Sequence, residues 1–141
     1  MSAESGILNR DGIEDLRVPM DEAKYQRIKS AFERNGCKIE SSDEYDKYLD
    51  WRGADAATLD AKTIVFRSGS PPTASELFEE LIHAAQHRRG IVSTDNVLQL
   101  EMAAKEKLIS YQRNYDIPDM ENEQTIMHLE GLRQFLFTKG R

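Results

Sequence analysis

The sequence predicts a small α+β domain, mostly helical, with a short sheet of two or three strands. Three observations carry that expectation. The chain has 141 residues, the size of one domain that can bury its own core. Its best run of β-formers, Thr63-Ile64-Val65-Phe66, is a single short stretch closed by Ser68-Gly69. Elsewhere apolar residues recur at the three- and four-residue spacing of amphipathic helices, as Tyr25, Ile28 and Phe32 do.

The elements follow in order. Residues 1–20 show no clear periodicity and read as a loosely held lead-in, a remnant of a junction to something larger, before a single domain over 21–141. Asp21 can cap a first helix, and Gly36 stops it. Residues 37–40 form a short strand candidate. Ser42 or Asp43 starts a short helix that Gly53 ends, and residues 61–69 hold the best strand. Pro71 and Pro72 hold off the next helix, and Thr73 with Glu76 forms a capping box for it. That helix covers about residues 74–89, up to Gly90. Another runs over about 95–114, residues 115–119 turn, and a last helix begins at Pro118 or Asp119 and continues through about Phe137.

The bulk properties narrow the function. Charged residues make up 31% of the chain, and the net charge is -6. Mean hydropathy is -0.64 and the pI about 5.1. Such an acidic chain is a poor tracker of phosphate, which argues against nucleic acid as a partner. No apolar run approaches the roughly 20 residues that span a bilayer, so no membrane partner is expected. The start, Met1 to Gly12, has neither a basic segment nor an apolar stretch, so no signal peptide is expected. The single cysteine, Cys37, excludes an internal disulfide and reads as a small apolar residue. Tyr45, Tyr48 and Trp51 read as a satellite core cluster or a cleft wall. Met102, Met120 and Met127 read as core filler, and His128 as a packing or surface residue.

The chemistry concentrates in Glu76–His87, "ELFEELIHAAQH". With Glu79 set at zero on a helical wheel, His83 falls at about 40°, Glu76 at about 60°, His87 at about 80° and Glu80 at about 100°. Leu77, Phe78, Leu81, Ile82 and Ala85 take the opposite arc. The polar arc carries no lysine or arginine, which suits a cation more than a mixed solvated face. His83 and His87 have the i,i+4 spacing of paired zinc ligands. On the following helix Glu101 falls in the middle of an apolar stripe of Val97, Leu98, Ala104 and Leu108. A carboxylate there needs a partner: a basic side chain such as Lys105, or a metal site at His83.

Two frames of a zinc motif fit. His83-x-x-x-His87 has the spacing of His-Glu-x-x-His, with Ala84 where the general base belongs; a copy inactivated at Ala84 would explain that residue. Glu79-Glu80-x-x-His83 has a carboxylate as first ligand and Glu80 as base. In both, Glu101 is the third ligand. Zn²⁺ would thus be held by His83, Glu101 and either His87 or Glu79.

Residues 60–140, with the strand, the Pro-rich turn, the Glu-Glu-x-x-His helix and the Glu101 helix, resemble the zincin-like metallopeptidase toxin domains of bacterial polymorphic toxin systems. The resemblance implies a zincin-like active helix, and carries Glu80, His83 and Glu101 over as functional positions. It also implies hydrolysis of a protein or peptide in a target cell and a cognate immunity protein. Such a domain is made in the bacterial cytoplasm and secreted or delivered as part of a larger effector. Three alternatives stand beside it. A nuclease could use His83 and Glu80 as acid and base, near Arg88 and Arg89. A carboxylate-bridged di-iron site would need a second Glu-x-x-His, which the chain lacks. A non-enzymatic helical interaction module would leave the arc solvated and pair Glu101 with a basic side chain.

Overall fold

The computed structural model describes residues 17–139. Its elements are α1 (Glu22–Arg34), β1 (Lys38–Glu40), α2 (Asp43–Arg52), β2 (Ala56–Asp60) and β3 (Thr63–Phe66), then α3 (Ala74–Arg88), α4 (Val97–Ser110), α5 (Gln112–Tyr115) and α6 (Asp119–Lys139). This is a mostly helical α+β domain with a three-stranded mixed sheet.

The sheet order is β1-β3-β2. β3 pairs parallel with β1, Ile39 opposite Ile64, and antiparallel with β2, Ala57 opposite Val65. Successive strand side chains point to opposite faces. Ile64 and Phe66 therefore join Ile39, Leu77 and Ala84 under α1 and α3, while Val65 joins Ala57 and Leu49 under α2. A strand buried on both faces is why Thr63–Phe66 reads as an unbroken β-forming run. On its other side α3 packs against α4, where Ala74, Ile82, Ala104, Leu108 and Ile117 form a second core. Tyr115 stacks on Phe78 there at 4.3 Å between ring centroids.

Local chemistry sets the helix starts. Asp21 accepts from Lys24 N, and Ser42 Oγ accepts from Tyr45 N. Both bonds of the Thr73–Glu76 capping box are present. Gly53, at φ 70, supplies the left-handed residue that ends α2.

The structure corrects several expectations. β2 was not anticipated, because Ala56 and Ala57 have weak β preference; pairing with β3 and burial of Ala57 override it. The helix expected over 95–114 breaks at Tyr111, and Asp116 at φ 58 closes the short α5. Tyr45 and Tyr48 pack at the core, but Trp51 is 81% exposed. Met120 and Met127 lie on exposed surface of α6 rather than in the core. Residues 17–20 are not a loose lead-in: Met20 N donates to Pro72 O, and Arg17 grips Glu76. Residues 1–16 of the expected lead-in lie outside the described residues. No described helix is long and apolar enough to cross a membrane.

Candidate metal centre

α3 has two buried seams. Leu77 and Ala84 face the sheet, and Ala74 and Ile82 face α4. Between them a strip of polar side chains opens into a cleft of about 300 Å³. The cleft is bounded by β2, α3, and the start of α4. Thr58, Glu79, Glu80, His83, Gln86, His87 and Glu101 all line it.

Glu79, His83 and Glu101 each offer a ligand atom, and these atoms lie within 4.8 Å of one another. His83 Nε2 is 3.2 Å from Glu101 Oε2 and 3.8 Å from Glu79 Oε2. Tetrahedral zinc with bonds of about 2.0–2.2 Å needs ligand atoms roughly 3.4 Å apart. The two distances straddle that value, so the group could hold a metal ion.

The other imidazole nitrogen fixes which atom faces the carboxylates. His83 Nδ1 is 2.8 Å from Gln86 Oε1, and Gln86 Nε2 donates to Leu100 O at 3.1 Å. With its amide so oriented, Gln86 can only accept, so Nδ1 carries hydrogen. A carbonyl acceptor on the remote nitrogen is the usual support for a histidine ligand. The neutral ring then aims a lone pair from Nε2 at two carboxylates. Three acceptors pointed at one spot require positive charge there.

A proton can supply that charge. Burial works against the imidazolium, but hydrogen bonds to Glu101 and Glu79 overcome it and raise His83 to about 10. Burial opposes ionisation of Glu79 too; His83 and Lys105 outweigh it and hold the carboxyl at about 2. The hydrogen bond from His83 lowers Glu101 against its partial burial.

Glu80 differs. Burial, with the charges of Glu79 and Glu101, pushes its carboxyl up to about 7, although the Thr58 hydrogen bond opposes the shift. Thr58 Oγ1 lies 2.7 Å from Glu80 Oε1 and 3.0 Å from the Glu80 carbonyl oxygen, tying the helix to β2. A carboxyl that titrates near neutrality is poised for general acid–base work.

Of the anticipated residues, the fold gathers Glu79, Glu80, His83 and Glu101. His87 lines the cleft outside the ligand group. The arc explains this: Glu101 meets α3 on the edge near Glu79 and His83, while His87 turns with Glu80 toward β2, where it influences Asp60. Ala84 is completely buried among Ile39, Ile64, Phe66 and Leu77. The base position of the His83/His87 frame thus faces the sheet, and a glutamate there would enter the core. Glu76 is taken up by its capping box and by Arg17, at 2.7 and 2.6 Å. Glu101 is not sunk in an apolar stripe; its side chain is 39% exposed at the cleft mouth, and Val97 is exposed too.

Three contributors were not anticipated as site residues. Thr58 sits on the unforeseen strand. Gln86 lies on α3 among the zinc-motif residues but has no place in either frame of the motif. Lys105, legible as an i+4 partner of Glu101, also reaches Glu79 at 2.8 Å, which no single-helix pattern shows.

Comparison with protein families, curated proteins and solved structures returns no match. The reading of the site therefore rests on its own geometry.

Proposed function

We propose that this cleft is a zinc-dependent hydrolytic centre of metallopeptidase type. Glu79, His83 and Glu101 would hold Zn²⁺, three protein ligands being the number found in catalytic zinc sites. Zn²⁺ held there would polarise a substrate carbonyl and acidify a water molecule. Glu80 would accept the proton from the attacking water and return it to the leaving amine; burial raises its carboxyl toward neutrality, which suits both roles. Thr58 holds Glu80 in place. β2 is a sheet edge beside the cleft, able to bind an extended peptide through its backbone. The single observation that carries the reading is the convergence of Glu79, His83 and Glu101.

The wider role, a toxin domain delivered as part of a larger effector and restrained by an immunity protein, rests on the resemblance of residues 60–140 alone. The net charge of -6 disfavours the polyanionic substrate of a nuclease. One observation favours a second reading: Lys105 already neutralises Glu79 and approaches Glu101, as a metal-free interaction module would require. Incubating the zinc-supplemented protein with a peptide library, beside Glu80→Gln, separates the two. Cleavage lost in the variant is expected; no cleavage by either protein, with no zinc bound, overturns the enzymatic reading.

A further inference from the structure

A buried ammonium lies inside the ligand group. Lys105 Nζ is 2.8 Å from Glu79 Oε2, the same oxygen that faces His83 Nε2 at 3.8 Å. On Glu101 the two oxygens divide the work: Oε2 faces His83 at 3.2 Å and Oε1 faces Lys105 at 3.7 Å. Glu101 can therefore serve two cations, whereas on Glu79 both claim one oxygen. A metal ion bonded to that oxygen would stand within about 5 Å of the ammonium. The Lys105 side chain is 11% exposed, so water screens the repulsion poorly.

We propose that Lys105 is a resident competing cation that sets the metal affinity of this centre. A divalent ion enters by displacing the ammonium from Glu79 Oε2. The site then rejects ions that bind nitrogen and oxygen donors weakly, such as Mn²⁺, and admits stronger binders such as Zn²⁺. This inference rests on the metal reading above.

Calorimetric titration of Zn²⁺ and Mn²⁺ into the wild-type protein and Lys105→Met tests it. The variant keeps the apolar stem and loses the charge. Its zinc dissociation constant is expected to be at least about tenfold lower, with measurable Mn²⁺ binding gained. Equal or weaker zinc binding by a folded variant overturns the proposal and leaves the metal centre standing. No zinc binding by either protein overturns both. If Lys105→Met does not fold, amine-reactive labelling of wild-type Lys105 decides, read at that residue by mass spectrometry. Zinc should accelerate labelling at least severalfold; an unchanged rate in a zinc-binding protein overturns the displacement.

Discussion

Ala84→Glu would complete the familiar His-Glu-x-x-His spelling, and the structure says it would break the protein instead. Ala84 is fully buried against Ile39, Ile64, Phe66 and Leu77. Adding a methylene and a carboxyl group to a filled core costs about 1–3 kcal/mol in overpacking. The new carboxyl would have to be neutral inside. Protonating a group of ordinary pKa about 4.3 at pH 7 costs about 4 kcal/mol. An unpaired buried carboxyl adds about 1–3 kcal/mol. The sum, roughly 6–10 kcal/mol, rivals the whole stability of a typical domain, about 5–15 kcal/mol. The sign with pH is fixed. The folded pKa is raised, so the protonation penalty is absent below about 4.3 and grows as pH rises toward the folded value. Urea unfolding should show a much smaller deficit at pH 4.5 than at pH 7.5. A variant as stable as wild type that gains zinc or peptidase activity would refute this, because position 84 would then face the cleft.

Three further outcomes are expected. Glu80 has its folded pKa raised from 4.5 to about 7, so its contribution to stability is full below 4.5 and is lost as pH rises through 7. In chelator, Glu80→Gln should be more stable than wild type at pH 8, by up to about 3 kcal/mol, and the gain should vanish near pH 4.5; equal stability at pH 8 in chemical denaturation contradicts the burial argument. His83 is raised to about 10, so without metal its stabilisation is full below 6.5 and is lost as pH rises through 10. Because Nε2 must shed that proton to bind zinc, calorimetry in buffers of different ionisation enthalpy should report about one proton released per zinc at pH 7.5, and no release would refute the assigned ligand atom. Gln86→Leu removes the acceptor that orients His83 and should weaken zinc binding about 10–100-fold, whereas undiminished affinity in a folded variant would show that the Gln86 bond does not position the ring.

Much of this was legible in the chain, and the rest was hidden for physical reasons. The capping box at Thr73 and the cap at Ser42 are local chemistry, so they can be read directly. The approach of Glu101 to His83 follows from two helical wheels and a short connection. β2 is different: the pattern Ala56-Ala57-Thr58-Leu59-Asp60 is not strand-like by itself, and only its pairing with β3 makes it one. Thr58 was lost with it. His87 and Ala84 show the limit of a motif spelling: the i,i+4 spacing suits zinc, yet the core decides which side of α3 is available. Lys105 belongs to α4, so its bond to Glu79 depends on how two helices pack.

Zinc stoichiometry across four variants tests the ligand set most directly. Purified wild type and His87→Ala are expected to hold about one zinc per chain, and Glu79→Gln, His83→Ala and Glu101→Gln to lose it or bind it far more weakly. Zinc retained at full affinity in His83→Ala, or lost in His87→Ala but kept in Glu79→Gln, would contradict the centre described here.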